Sequence, residues 1–192
     1  MDERKRKIIV GRSFCEYLEE HDIHYDYCIK HKEVLGCDES ANYYDRYKYF
    51  IGDDYCICKN LFLKERKGEK RTFLVIVPME KQVDLKELKE RLGTSKLEFA
   101  SSEKMQDLLQ TTPGNVSIFN LIFDKDKKVN IVLDQDLFDS KLLAFHPLYN
   151  GMSIFLKEKE VRKFLDFCDR DYLVGAVPTR EALPEKTNVL SA

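Results

Sequence analysis

Apolar side chains near the start of the chain recur every three or four positions. Phe14, Tyr17, Leu18 and His21 share one stripe, which predicts an amphipathic helix over about residues 6–21. Ile23, Tyr25, Tyr27 and Ile29 then alternate with polar residues, the period of a strand. From His31 to Asp54 the pattern dissolves into a polar stretch holding Tyr43, Tyr44, Tyr47 and Tyr49, which reads as a long loop with a turn of helix at most. Regularity returns at Ile57. Leu61 and Leu63 lie on one face of a strand, Glu65–Lys70 makes a charged turn, and Thr72–Val77 runs back as the second strand of a hairpin.

Asp84 caps a helix carrying Leu85, Leu88 and Leu92, and Gly93 supplies its stop. Leu97–Ala100 reads as a short strand, and Ser101 or Ser102 caps a helix with Met105, Leu108 and Leu109. After a break at Thr111-Thr112-Pro113-Gly114, three strands are predicted at Val129–Leu133, Leu142–His146 and Met152–Lys157. A last helix over Glu158–Asp169 carries Val161, Phe164, Leu165 and Cys168. Beyond it, the segment with Pro178 and Pro184 has too few apolar residues to fold alone and reads as a tail. Six or seven strands interleaved with four helices predict one mixed α/β (α+β) domain over residues 1–172, with residues 173–192 as the tail. The expected sheet is curved, mixed or mostly antiparallel, and flanked by helices.

Composition narrows the options. At 192 residues, 43% hydrophobic and 11% aromatic, the chain can bury one sizeable core. Its net charge of −2 argues against a general nucleic-acid coat, which would need many positive charges to neutralise phosphates, but leaves room for a local basic strip. No apolar run reaches the roughly 18–20 residues of a membrane span, and Ile8-Ile9-Val10 is too brief for a signal peptide. A cytosolic protein without membrane contact is therefore expected. The six cysteines include one close pair, Cys56-x-Cys58, whose spacing suits neither a zinc nor a redox site. Reduced structural thiols, and no metal, are the expectation.

The standard catalytic signatures are missing: there is no Walker A loop, GxGxxG, GxSxG or HExxH. Four segments do not read as ordinary packing. In Cys58-Lys59-Asn60-Leu61-Phe62-Leu63-Lys64 two polar residues interrupt a strand. Between Lys59 and Arg71 six basic residues (Lys59, Lys64, Arg66, Lys67, Lys70, Arg71) face two acidic ones, either a solvated hairpin or a phosphate strip. Thr112-Pro113-Gly114-Asn115-Val116-Ser117 is a Gly loop, either a plain turn or a set of amides able to receive an oxyanion. In Phe145-His146-Pro147-Leu148-Tyr149-Asn150-Gly151-Met152, Asn150-Gly151 carries a type I′ hairpin signal, and His146 either lines a cleft or is satisfied locally. His31, just past a strand, is placed at a rim.

In this order the segments resemble the YbaK/ProX family of aminoacyl-tRNA deacylases, the prolyl-tRNA editing domain family, over about residues 7–169. The most specific part is Cys58-Lys59-Asn60-Leu61-Phe62-Leu63 with Phe73-Leu74-Val75-Ile76-Val77-Pro78. Val83-Asp84-Leu85, Leu97-Glu98-Phe99-Ala100-Ser101, the Gly114 loop and Phe145-His146-Pro147 follow in register. The loop carries Ile118 where the family usually has proline. The resemblance implies a YbaK-like fold and a trans-editing hydrolase that needs no cofactor and cleaves the ester of mischarged tRNA, most nearly alanyl-tRNA(Pro). The partners it implies are the aminoacylated tRNA end and prolyl-tRNA synthetase. By that resemblance Lys59 and Gly114 are expected in the catalytic places. Asn60, His31, Asn115, Ser117, His146 and Asn150 line the aminoacyl pocket, and Lys64, Arg66, Lys67, Lys70 and Arg71 meet the tRNA backbone. Two other outcomes stay open: a non-catalytic module of the same fold binding the tRNA end or a synthetase, and a deacylase for another group such as cysteinyl-tRNA(Pro). The tyrosines of residues 31–54 either stack on unpaired bases or pack over the core.

Overall fold

Between His21 and Ile23 the chain leaves its first helix through a left-handed residue, Asp22 at φ 59°, and the Ile23 amide turns back to the Leu18 carbonyl at 2.9 Å. That turn decides what the following alternation becomes. Ile23 is consumed as a buried plug under the helix, and the strand starts four residues later than the pattern alone suggests. The computed structural model describes residues 3–33, 48–49 and 51–180, with side chains from Gly11 onward. Tyr43, Tyr44 and Tyr47, and the last twelve residues, lie outside the described residues.

The elements are α1 (Glu3–Glu20), β1 (Tyr27–Lys30), β2 (Tyr55–Glu65), β3 (Thr72–Pro78), α2 (Leu85–Arg91), β4 (Leu97–Phe99), α3 (Ser102–Leu109), β5 (Val129–Asp134), β6 (Leu142–Phe145), β7 (Met152–Leu156), α4 (Glu158–Phe167) and β8 (Tyr172–Gly175). The predicted caps form as expected. Asp84 accepts from the Lys86 and Glu87 amides, and Ser101 from Lys104. Gly93 follows α2 at φ 59°, the backbone region that glycine tolerates best.

Eight strands make one mixed sheet in the order β1-β7-β6-β2-β3-β5-β8, with β4 pairing β2 outside that path. The β2–β6, β3–β5 and β5–β8 pairs are parallel and the others antiparallel. One face carries the main core, where Phe14 and Leu18 of α1, Met105 and Leu109 of α3, and Phe164 and Leu165 of α4 meet Phe62, Leu74 and Ile76 of the hairpin. The opposite face carries two smaller clusters. Leu88 of α2 covers Leu63, Phe73 and Val75, while Leu142, Ala144 and Phe155 gather Ile29, Tyr55 and Ile57. Strand β3 is buried along its whole length because both faces are covered, which is why it reads as a continuous apolar run.

The sheet is one strand larger than predicted. β8 occupies the start of the segment expected to be a tail. It lies parallel to β5, Val177 behind it is buried, and Thr179 bridges to Val83. Leu173 and Val174 stay exposed on this edge, so no alternation betrays the strand; only the neighbour β5 makes it one. Two short 3-10 helices, Ile118–Phe123 and Gln135–Asp139, were also not predicted. No helix among the described residues is long and apolar enough to cross a membrane.

Candidate active site

Strand β2 is flanked unevenly. β6 pairs its start, over Tyr55–Ile57, and β4 pairs its end, over Leu63–Glu65. Between them the strand keeps β3 on one side and, among the described residues, no strand on the other. Lys59 and Asn60 lie in this gap. Being adjacent in a strand, they face opposite sides of the sheet. Lys59 follows Ile57 on the side of the smaller clusters, whereas Asn60 follows Cys58 onto the main-core side.

The Lys59 ammonium is held by backbone. Its Nζ donates to the carbonyls of Met79 at 2.9 Å and Lys81 at 2.5 Å, in the segment that wraps round after β3. That segment is itself anchored, because the Lys81 side chain pairs with buried Asp134 at 2.5 Å and with Asp136 at 2.8 Å. Two of the three Lys59 N–H bonds are therefore committed and aimed, which leaves one for a ligand. Asn60 donates through Nδ2 to the Cys58 carbonyl at 3.3 Å, while its buried Oδ1 meets no donor among the described residues. An orphaned acceptor of this kind is costly unless a bound group satisfies it. An open cleft of about 830 Å³ lies beside the 79–81 segment, bounded by Tyr55, Ile57, Pro78, Glu80 and Lys81.

The parallel register of β2 and β6 ends at Ile57↔Ala144, so Lys59 and His146 each stand two residues beyond it, level with one another. His146 Nδ1 lies 3.0 Å from the Met152 carbonyl, which only accepts, so Nδ1 carries the proton and Nε2 presents a lone pair. Burial, reinforced by the neighbouring His31, pushes the His146 imidazole down to about 4. His31 repeats the arrangement. Its Nδ1 donates to the Lys32 carbonyl at 2.7 Å, its Nε2 accepts from Ser153 Oγ at 2.9 Å, and burial lowers its basicity. The two rings stand 6.0 Å apart, both neutral at pH 7.

The Gly loop joins the same end of the sheet. Gly114 adopts φ 85°, a left-handed conformation that disfavours a side chain. Asn115 Oδ1 accepts the Asn150 amide at 3.3 Å, which ties the loop to the β6–β7 connection. The Asn115 amide is taken by the Thr112 carbonyl at 3.0 Å, whereas those of Gly114 and Val116 find no acceptor among the described residues. Ser117 is fully buried and spends its hydroxyl capping the 3-10 helix, with Asn120 completing the capping box. It serves as the loop's anchor, not as an exposed ligand. Ile118 is the first helical residue, a position where proline is also at home, and its side chain is fully buried in the core.

The β6–β7 connection is not the type I′ turn that Asn150-Gly151 suggested. Neither residue has a positive φ; Leu148 does, at 59°. Glycine is required at position 151 for space, since a Cβ there would stand 2.4 Å from the Tyr149 ring. Asn150 is 1% exposed and reaches the loop through its amide.

The charged hairpin lies elsewhere. Glu65 accepts from the Arg71 guanidinium and from the Arg71 and Ser95 amides, which together hold its carboxyl down at about 2. Lys64 pairs with Glu98 at 3.3 Å. Arg66, Lys67 and Lys70 are exposed and meet no carboxylate among the described residues. At about 3.3 Å per residue the hairpin tip stands roughly 20 Å from Lys59. The basic strip is thus a separate surface and not a neighbour of the lysine, as its closeness in sequence had implied. Ser153, Lys81 and the Met79 carbonyl were not singled out from sequence. Backbone carbonyls leave no side-chain signature, and a serine in a strand carries no motif.

The family profile described as "Aminoacyl-tRNA editing domain" matches residues 45–164. The prolyl-tRNA editing protein ProX of Acetoanaerobium sticklandii is 36% identical over 112 residues, covering 58% of this chain and 67% of that protein. Prolyl-tRNA synthetase associated domain-containing protein 1 of Danio rerio is 29% identical over 141 residues, 72% of each chain. A crystal structure of a candidate trans-editing enzyme for prolyl-tRNA synthetase superposes with a TM-score of 0.64 at 17% identity, covering 90% of this chain and 98% of that one.

Proposed function

The chain belongs to the aminoacyl-tRNA editing domain family, and on that premise we infer that it is a trans-editing hydrolase cleaving the ester of mischarged tRNA, with alanyl-tRNA(Pro) as substrate. The observation that carries the reading is the Lys59 ammonium, aimed by the Met79 and Lys81 carbonyls at the level of a neutral His146. An aminoacyl ester is already activated, so what the enzyme must supply is placement and stabilisation of the developing oxyanion.

The remaining Lys59 N–H and the Gly114 and Val116 amides are the donors for that charge. His146 Nε2 accepts a hydrogen bond from a hydroxyl of the terminal ribose or from the attacking water, which orients it. Water adds to the ester carbonyl, the bond to the ribose oxygen breaks, and that oxygen takes the proton. A small pocket discriminates alanine from larger side chains by exclusion and from glycine or serine only modestly. The domain would act alongside prolyl-tRNA synthetase in the cytosol, on the tRNA that enzyme releases.

The test is hydrolysis of a panel of aminoacylated tRNAs: alanyl-, cysteinyl- and seryl-tRNA(Pro), with each cognate pair as reference. Faster release from alanyl-tRNA(Pro) than from alanyl-tRNA(Ala) supports the reading. Preference for cysteinyl-tRNA(Pro) would overturn the choice of amino acid, and binding without ester loss throughout would make the protein a non-catalytic module.

A further inference from the structure

The hydrolysis described above uses none of the cysteines, yet two of them face each other outside the site. Cys15 lies on the buried face of α1, Cys28 is the second residue of the edge strand β1, and their sulfurs are 3.9 Å apart. Cys15 is buried, and Cys28 is exposed at the surface of the sheet edge. Sequence alone gives no hint of the pair, which is thirteen positions apart and has neither CxxC spacing nor a shared element.

We propose that Cys15 and Cys28 form a reversible disulfide, a peroxide-sensitive modification site that staples α1 to β1. A disulfide needs its sulfurs at about 2.05 Å, so they must close by less than 2 Å, a movement within reach of side-chain rotation at the exposed partner. The electrostatics assign the roles. The hydrogen bond from Cys15, with Lys30 and Arg12 nearby, draws the Cys28 thiol down to about 7, against the opposing effects of burial and Glu19. Cys15 is pushed far up, mainly by donating that same hydrogen bond and by burial.

Cys28 is therefore the nucleophile and Cys15 the resolving thiol. The Cys28 thiolate attacks one oxygen of hydrogen peroxide; a sulfur–oxygen bond forms, the O–O bond breaks, and hydroxide leaves. Once Cys28 is a neutral sulfenic acid, the charge that kept the proton on Cys15 is gone. Cys15 sulfur then attacks the Cys28 sulfur, the S–S bond forms, and the hydroxyl departs with the Cys15 proton as water. Both thiols are oxidised, one peroxide is reduced, and a low-molecular-weight thiol such as glutathione reverses the change by exchange. The staple reaches the polar end of the sheet. His31 follows Cys28 by three residues, and Gly11, one turn before Cys15, lies so close to Met152 that a Cβ there would stand 2.7 Å from its sulfur.

The experiment treats the purified, fully reduced chain with equimolar hydrogen peroxide and reads intact mass, thiol count and cross-linked peptides. The expected result is a loss of two mass units and two thiols, a Cys15–Cys28 peptide, and full recovery with glutathione. Before oxidation, iodoacetamide at pH 7 should alkylate Cys28 about tenfold faster than the exposed thiols of the unfolded chain, following its larger thiolate fraction. In Cys15→Ser the peroxide-treated protein should carry a sulfenic acid at Cys28 that dimedone traps, and in Cys28→Ser no cross-link should form. The proposal is overturned if all thiols survive, if the cross-link joins another pair such as Cys56–Cys58 or Cys28–Cys37, or if Cys28 proceeds to the sulfinic acid with Cys15 in place. None of these readouts depends on ester hydrolysis, so failure here leaves the deacylase reading standing, and the reverse.

Discussion

The middle of strand β2 and the hairpin tip beyond it treat positive charge in opposite ways. At Lys59 the ammonium is half-buried and pinned by two backbone carbonyls, level along the sheet with the His146 imidazole that burial keeps neutral. At the hairpin tip, Arg66, Lys67 and Lys70 extend into solvent, while Arg71 behind them is fixed by the Glu65 carboxylate. A charge in water is screened within about a Debye length and has no defined direction, so it can attract a polyanion but cannot single out one bond. A pinned ammonium has a direction at the moment of reaction. Charge count along the sequence treats these positions as one strip; the fold separates them into a pinned, half-buried ammonium in mid-strand and an exposed basic tip.

Four changes would break or sharpen that contrast. Lys59→Ala should have the largest effect, lowering the hydrolysis rate at least ~100-fold, as expected for loss of one oriented oxyanion donor. The loss of its two backbone hydrogen bonds should cost only about 1–2 kcal/mol of stability. Single-turnover kinetics alongside a urea melt would separate the two, and an active Lys59→Ala protein would remove the lysine from the mechanism. His146→Gln comes next, with roughly a tenfold loss if the imidazole acts by orienting a hydroxyl.

The same histidine makes a pH prediction. Its folded pKa of about 4 lies below the ordinary value of 6.5, so the unfolded chain binds more protons between those limits. Its contribution to stability is complete above 6.5 and is lost as pH falls toward 4; the stability slope in that window should flatten in His146→Gln. In the parent protein the ring resonance should titrate near 4 by NMR, and a midpoint near 6.5 would contradict the buried, neutral assignment.

Gly114→Ala is expected to act through backbone strain, since the nearest atom to an added Cβ is 4.0 Å away and the φ of 85° is what resists a side chain. A destabilisation of about 1 kcal/mol in urea and a several-fold drop in hydrolysis should accompany it. Smallest of all, the double change Lys67→Gln with Lys70→Gln should leave kcat unchanged while raising KM a few-fold at low salt. The slope of log affinity against log salt should fall by about two. A fall in kcat would place the hairpin in the chemistry after all.

Much of this was legible residue by residue. The α2 helix announced itself through Asp84 and Gly93, α3 through Ser101, and the β2–β3 hairpin through its apolar alternation and charged turn. Lys59, Gly114 and His146 were singled out because polar or glycine residues interrupt otherwise regular patterns. Ser117, which the resemblance puts in the aminoacyl pocket, spends its hydroxyl on the backbone. A polar residue in a conspicuous loop looks like a ligand, but here it caps the next helix, a role set by dihedral angles that composition does not reveal. Asn150-Gly151 met the rule for a tight turn, yet the six-residue connection put its left-handed residue at Leu148.

The chain's local chemistry was enough to set most of the elements, the caps of α2 and α3 and the identity of the polar interruptions, because hydrophobic period and capping act between residues a few positions apart. Partnership was decided only in three dimensions. β8 becomes a strand because β5 offers it an edge, and Lys59 is aimed because β3 turns back and lays two carbonyls, twenty and twenty-two positions away, against its nitrogen. His146 is neutral because burial, not its neighbours in sequence, sets its solvation. These are long-range packing effects, and a linear pattern holds no record of which distant atoms will share a dielectric, a hydrogen bond or a face.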